Sequence, residues 1–199
     1  MSNRLPPAHY NDLDEILPAA WSLLQRGVRD RRADFHLLQV ATVTSEGLPS
    51  IRSVVLRGFD EQTRTMRFHT DSRAEKSNEI FERSQIVAHL YSREEKIQLR
   101  MLCRASLHHR NAVSSAGWRS MREMSRDCYR QTLAPGTRVD TPQDITVDAN
   151  MDADEAYDNF AVVTATIQHL EWLYLAAAGH RRAVFDWRNG SETRTWLAP

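Results

Sequence analysis

The sequence predicts a mainly antiparallel β fold with flanking helices, an α+β domain whose strands close into a barrel. Three observations lead there. Runs rich in Val, Leu, Ile and Thr recur at 35–44, 50–59, 65–70, 85–92 and 95–107. Turn-forming segments such as Ser45-Glu46-Gly47 and Arg93-Glu94 join neighbouring runs into hairpins. One helical segment is inserted among them, and closure hides the sheet edges that so many strands otherwise expose.

In chain order, Leu13, Ile16, Leu17, Ala20, Trp21 and Leu24 recur at helical spacing and predict an amphipathic helix over 11–27. Pro18 implies either a kink or a helix that starts there. The charged run Arg29-Asp30-Arg31-Arg32 reads as a solvated link without function. Phe35 to Thr44 is a strand, Gly47 supplies the positive φ of the turn, and the next strand runs to Phe59. Arg52 and Arg57 have opposite parity on that strand. A bulge would let both reach one ligand; otherwise only one does, or they serve different parts of a site. Thr65 to Thr70 is extended, Ala74 to Arg83 helical, and the hairpin that follows places Gln98 early on its second strand.

Arg110 to Arg130 predicts two short helices meeting near Gly117. Segment 137–154, acidic and poor in aromatics, reads as a mobile loop, either a lid or an insertion. Phe160 to Leu175 is a long β-branched strand, bent near Gln168. A last hairpin pairs Arg181–Trp187 with Thr193–Leu197 around Asn189-Gly190, a type I′ signal. Trp187 and Trp196 read as core fillers.

At 199 residues the chain is expected to be one domain, 1–199, large enough for a substantial core. Lys plus Arg and Asp plus Glu each total 26, so the zero net charge argues against nucleic acid as a partner. Cys103 and Cys128 are too few for a disulfide framework or a zinc cluster and read as buried or half-buried thiols of a reducing compartment. Segment 1–15 carries acids and prolines where a signal peptide needs an apolar run, and no stretch reaches membrane-spanning length. The expectation is a cytoplasmic protein without a membrane partner.

The chemistry concentrates in 52–76. Ser72-Arg73-Ala74-Glu75 fits a capping box. A helix mouth flanked by Arg73 and Lys76 suits a phosphate, because free N–H groups and the positive dipole end face the anion. Arg52 and Arg57 add positive charge from the strand. The plain alternative is an ordinary capped helix with solvated cations.

Arg52-Ser53-Val54-Val55-Leu56-Arg57, then Phe68-His69-Thr70, then Ser72-Arg73 with Lys76, are arranged as in one known family. They resemble the R-x-V-L-L-K strand, the F-Y-T strand end and the Ser/Arg/Lys turn of the pyridoxamine 5'-phosphate oxidase family, the FMN-binding split β-barrels. Gln98 falls in register with a family glutamine, Trp172 and Arg182 match a family Trp and Arg pair, and the ending Leu197-Ala198-Pro199 is common in members. The resemblance covers roughly 35–105 and 167–199.

The resemblance implies an antiparallel split barrel and a homodimer with FMN between subunits. Its cofactor contacts would be Arg52, Ser53, Val54, Val55, Leu56, Arg57, His69, Thr70, Ser72, Arg73, Lys76, Gln98, Trp172 and Arg182. Arg52, Arg73 and Lys76 would hold the phosphate, backbone near Val54 and Val55 would meet the ring edge, and Gln98 would hydrogen-bond the ring. Arg57 and Arg126 would touch substrate.

Departures are as telling. The substrate-binding R-x-H-D-R of the true oxidase is Gly179-His180-Arg181-Arg182-Ala183 here, the family lysine is Arg57, and the F-Y-T tyrosine is His69. The chain therefore resembles a related subgroup, an FMN-dependent oxidoreductase of an unidentified small molecule. No metal motif, nucleophile elbow, P-loop or G-x-G-x-x-G occurs, and no side chain is assigned as catalytic. A true oxidase, a non-catalytic flavin-binding protein, and a barrel holding deazaflavin or heme remain alternatives.

Overall fold

A computed structural model describes residues 6–177 and 179–199. Its strands are β1 (Leu37–Val43), β2 (Pro49–Val55), β3 (Gly58–Asp60), β4 (Thr65–Asp71), β5 (Gln85–Ser92), β6 (Ile97–His108), β7 (Phe160–Tyr174), β8 (Arg181–Asp186) and β9 (Thr193–Leu197). They form one antiparallel sheet in the order β2-β1-β5-β6-β7-β4-β3, with β8 on β7 and β9 on β8. The expected closure does not occur: β2 and β3 end the path, and no ladder joins them among the described residues.

The split has a local origin. One edge of β7 pairs with β6, while the other is shared between β4 over Phe160–Thr166 and β8 over His169–Tyr174. The β6 register shifts between Leu102 and Cys103, leaving Gln168 as an extra residue, and Gln168 carbonyl instead accepts from Trp187 N–H at 2.9 Å. An extra residue bends its strand, as expected at Gln168.

The expected strand to Phe59 is broken at Leu56 and Arg57. Leu56 N–H donates to His36 carbonyl at 2.9 Å and Arg57 N–H to Arg67 carbonyl at 2.8 Å, so the chain leaves β1 and joins β4. This change of partner sends Arg52 and Arg57 to different places.

Helix α1 (Leu13–Arg29) is capped by Asp12 and runs through Pro18, burying Ile16, Leu17, Ala20, Trp21 and Leu24. Helix α2 (Glu75–Glu82) begins later than expected, and the Ser72–Glu75 box does not form: Ala74 is the N-cap and makes no side-chain cap. Ser72 is taken by the segment before β7, its N–H donating to Asn159 carbonyl at 2.7 Å and its hydroxyl to Asp158 carbonyl at 2.9 Å.

Helices α3 (Ala112–Ser120) and α4 (Glu123–Arg126) are separated at Met121-Arg122 rather than at Gly117. Gly117 has a packing role instead, because a Cβ there would lie 2.8 Å from Val162 Cγ2 on β7. Segment 137–154 holds a 3-10 turn at Pro142–Asp144, and the unexpected α5 (Ala153–Asp158) follows. Between β8 and β9 lie residues 187–192, and of Asn189-Gly190 only Gly190 has positive φ, +87°, so the two-residue type I′ turn is absent.

The main core packs α1 and the inner sheet face around Phe35, Leu38, Leu56, Phe68, Trp172 and Phe185. A second cluster, Trp118, Tyr129, Ala156, Phe160 and Val162, seals α3 and α5 to β7. Trp187 packs at the margin of the main core, whereas Trp196 is 40% exposed, too open for the core filler expected. Cys103 is buried but Cys128 is exposed, correcting the expectation that both are at least half-buried.

Candidate functional site

Strand β4 organises the site by simple alternation. Met66, Phe68 and Thr70 turn into the core, so Arg67, His69 and Asp71 share the opposite face. Two cavities open along that face. The larger is a cleft of about 550 Å³ lined on one side by Ser53, Val54, Val55, His69, Thr70, Asp71 and Lys76. Its far wall is Cys128, Tyr129, Gln131 and the segment from Leu133 to Ile145. That volume falls within the roughly 300–1,000 Å³ common for ligand sites.

Lys76 reaches the cleft from the first turn of α2. It has no ion-pair partner among the described residues. Burial, and then Arg52, lower its pKa, while Asp71 and Glu79 oppose that shift. An anion in the cleft would be its natural counter-ion. Tyr129 is buried, and desolvation pushes its phenol pKa up, so it stays neutral.

The smaller cavity, about 190 Å³, is lined by Arg31, Arg57, Arg67, His69, Ser120, Met121, Arg122 and Ser125. Gly58 lets the Arg67 side chain lie against backbone, where a Cβ would stand 3.1 Å from Nε. Among the described residues no carboxylate lines this pocket. Arg31 belongs to the run expected to be a solvated link; it is exposed and lines one side of this pocket.

The other predicted cations are committed elsewhere. Arg52 donates to Ser50 Oγ at 2.7 Å, to buried Glu79 at 3.1 Å, and to Thr42 Oγ1, which in turn donates to Glu79 at 2.5 Å. Arg73 chelates Asp71 through Nε at 3.0 Å and Nη2 at 2.8 Å, and donates to Gln131 carbonyl at 3.1 Å. It thereby pins the far wall of the cleft to the end of β4. Leu56 is core, and Arg126 stacks over Trp118 at 5.2 Å without lining either cavity.

Gln98, Trp172 and Arg182 lie apart from the cleft of their own chain. Gln98 on β6 pairs with Leu173 on β7, which pairs with Arg182 on β8, so both polar side chains lie in one row. In the next row buried Glu171 binds Arg100 at 2.5 Å and Arg182 at 3.0 Å. Trp172 is fully buried between Tyr10, at 5.2 Å, and Tyr174.

Sequence reasoning missed Arg67, Asp71, Arg122, Tyr129 and Gln131. A usable signal existed for Arg67 and Asp71, which stand two residues either side of His69. The others are brought in by the α3–α4 region, whose packing no local pattern specifies.

Residues 18–109 match the family model described as pyridoxamine 5'-phosphate oxidase, FMN-binding domain. Pyridoxine/pyridoxamine 5'-phosphate oxidase of Sinorhizobium fredii is 30% identical over 79 residues, 40% of this chain and 37% of that protein, so the match spans little over a third of the relative. A pyridoxamine 5'-phosphate oxidase-related, FMN binding protein of Nostoc punctiforme superposes with a TM-score of 0.72 at 20% identity, covering 91% of this chain and 96% of that one. PhzG of Burkholderia lata, solved with tetrahydrophenazine-1-carboxylic acid, gives 0.71 at 19% identity, covering 98% of both. At such identities the two structures establish the split-barrel fold.

Proposed function

We propose that the chain is an FMN-dependent oxidoreductase of a small anionic molecule, on the premise that residues 18–109 belong to the FMN-binding domain family of pyridoxamine 5'-phosphate oxidase. The observation that carries this reading is that Ser53, Val54, Val55, His69, Thr70 and Lys76, from β2, β4 and α2 of the matched segment, line one wall of a single cleft.

The donors present fit FMN: Lys76 offers its phosphate a cation with no ion-pair partner among the described residues, and the neutral ring of His69 has nitrogens unpaired among the described residues beside the same cleft. FMN supplies hydride acceptance or donation, and the protein supplies position and charge. Lys76 would neutralise the phosphate, backbone at Val54 and Val55 would orient the ring edge, and the wall from Tyr129 to Ile145 would exclude water. Arg57, Arg67 and Arg122 would hold an acidic group of the substrate in the adjoining pocket. Arg73 would act by holding Gln131, and Arg52 by setting the field at Lys76.

The reading extends to a homodimer. Gln98 and Arg182 would serve the cleft of a second copy, consistent with their absence from their own. An apolar row, Ile51, Ala41 and Val87, crosses β2, β1 and β5, with Ile51 68% exposed, and offers a face for self-association. Among the described residues no helix is long and apolar enough to cross a membrane; a single domain acting in the cytoplasm is part of the proposal.

The test is an absorption titration of the purified protein with FMN, with released cofactor identified by mass spectrometry and mass in solution by sedimentation. Stoichiometric FMN on a dimer is the expected result. Absence of flavin binding by folded protein overturns the reading. Peroxide formation from pyridoxamine 5'-phosphate and oxygen would make it a true oxidase, and bound FMN that no reductant reduces would make it a binding protein.

A further inference from the structure

Among the described residues that line the two cavities, only His69 lines both. Its ring is set edge-on to Phe160 with centroids 4.9 Å apart. Both ring nitrogens are buried, and neither has a hydrogen-bond partner among the described residues. Buried polar atoms are nearly always paired, so an unpaired imidazole asks for a ligand. Imidazole is also suited to serve two sides, since one nitrogen can accept while the other donates, and both donate once it is protonated.

The surrounding charges are lopsided. On the pocket side stand Arg31 from the α1–β1 link, Arg57 from the β2–β3 link, Arg67 on β4 and Arg122 between α3 and α4. On the cleft side stand Lys76, Cys128, Tyr129 and Asp71, and Asp71 is already chelated by Arg73. An anion in the pocket would reverse the sign of the field at the ring.

We propose that His69 couples the two cavities: an anion held by Arg57, Arg67 and Arg122 draws a proton from solvent onto the imidazole, which then donates a hydrogen bond toward the cleft. His69 is on this account a positioning residue that ties occupancy of the anion pocket to hydrogen bonding at the cofactor cleft. The proposal rests on the pocket being an anion site and is independent of which cofactor the cleft holds. In the free protein burial, then Arg57 and Arg67, lower its pKa to about 4. An anion offsets the arginine share and leaves the burial share.

The experiment uses inorganic sulfate, whose charge is constant over the working range. Calorimetric titration in buffers of different ionisation heat measures proton uptake per sulfate, on protein with and without FMN. At a pH of about 5 the expected uptake is roughly 0.4 to 0.7 proton. His69→Gln should bind sulfate within about twofold of the parent and take up none. Arg122→Met should weaken sulfate roughly tenfold, whereas Lys76→Met should leave the uptake in place. Sulfate binding without proton uptake overturns the proposal, as does unchanged uptake in His69→Gln, or no sulfate binding by folded protein. Because the titration is also run without flavin, its failure is separable from failure to bind FMN.

Discussion

The cleft beside β4 and the outer face of β6, β7 and β8 carry similar residue types, yet their charges are used differently. On the outer face Glu171 sits between Arg100 and Arg182, while Trp172, the next residue along the strand, turns inward and is enclosed by Tyr10 and Tyr174. In the cleft and its neighbouring pocket Lys76, Arg57, Arg67 and His69 face open space, and the one carboxylate lining the cleft among the described residues, Asp71, is already chelated by Arg73. On the outer face both arginines share a carboxylate of their own chain, so these ionic groups hold β6 to β8. The cleft is unbalanced, and an unbalanced set of buried donors stabilises whatever anion enters it.

The largest expected effect tests the core beneath the outer face. Trp172→Ala should destabilise the fold by about 3–5 kcal/mol, read from the urea midpoint, because it empties a fully enclosed core position. Trp172→Phe should largely preserve the fold. If it also leaves FMN affinity untouched, Trp172 is core alone and the dimeric site needs no contribution from it.

Acidification tests the cleft. His69 has its pKa lowered to about 4 by burial and by Arg57 and Arg67, below its ordinary value of 6.5. The unfolded chain therefore binds more protons between those values, and stability falls as pH drops from 6.5 to 4. The loss approaches about 2–3 kcal/mol. Urea unfolding across that window should show it, and His69→Gln should flatten the slope. An unchanged slope would mean that the ring is not held in a cationic field.

Lys76 and Arg73 compare a free cation with a committed one. Lys76→Met should weaken FMN about 10- to 100-fold, the loss of one charge-assisted contact of about 1.5–3 kcal/mol. Arg73→Met should cost less affinity and instead free the Gln131 segment, seen as faster proteolysis near 131–145. Equal losses of affinity would mean that Arg73 leaves Asp71 to bind the ligand directly.

The smallest effect returns to the outer face. Glu171→Gln leaves Arg100 and Arg182 without their shared counter-charge. It should cost roughly 1–2 kcal/mol, moderated because Arg100 is 54% exposed. A clearly larger loss would mark that triad as structural to the whole sheet.

Much of the fold was legible. Alternation in 65–70 and 85–107 gave strands in register, helical spacing gave α1, and the bend at Gln168 was visible as an overlong β-branched run. The capping box was misread because its residues satisfy a local rule, while Ser72 is claimed by Asp158 and Asn159 from far along the chain. Two-residue turn chemistry at Asn189-Gly190 was likewise overridden, since the β8–β9 register leaves 187–192 to bridge the strands.

For the site, the residues that approach the cleft from β2, β4 and α2 were readable from the 52–76 motifs. Which of them are free was not. Arg52, Arg73 and Lys76 look equivalent along the sequence as phosphate-binding cations, two at the helix mouth and one on the strand beside it. Only packing brings Glu79 to Arg52 and Asp71 to Arg73 while leaving Lys76 without an ion-pair partner among the described residues. Composition and order thus determined the strands, their alternation and the cation-rich stretch, because those depend on neighbours two to four residues away. The tertiary structure alone decided the open sheet, the joining of Arg31, Arg57, Arg67 and Arg122 around His69, and the charge left over in the cleft. Ion pairing and cavity shape are set by distance in space, to which separation along the chain is no guide.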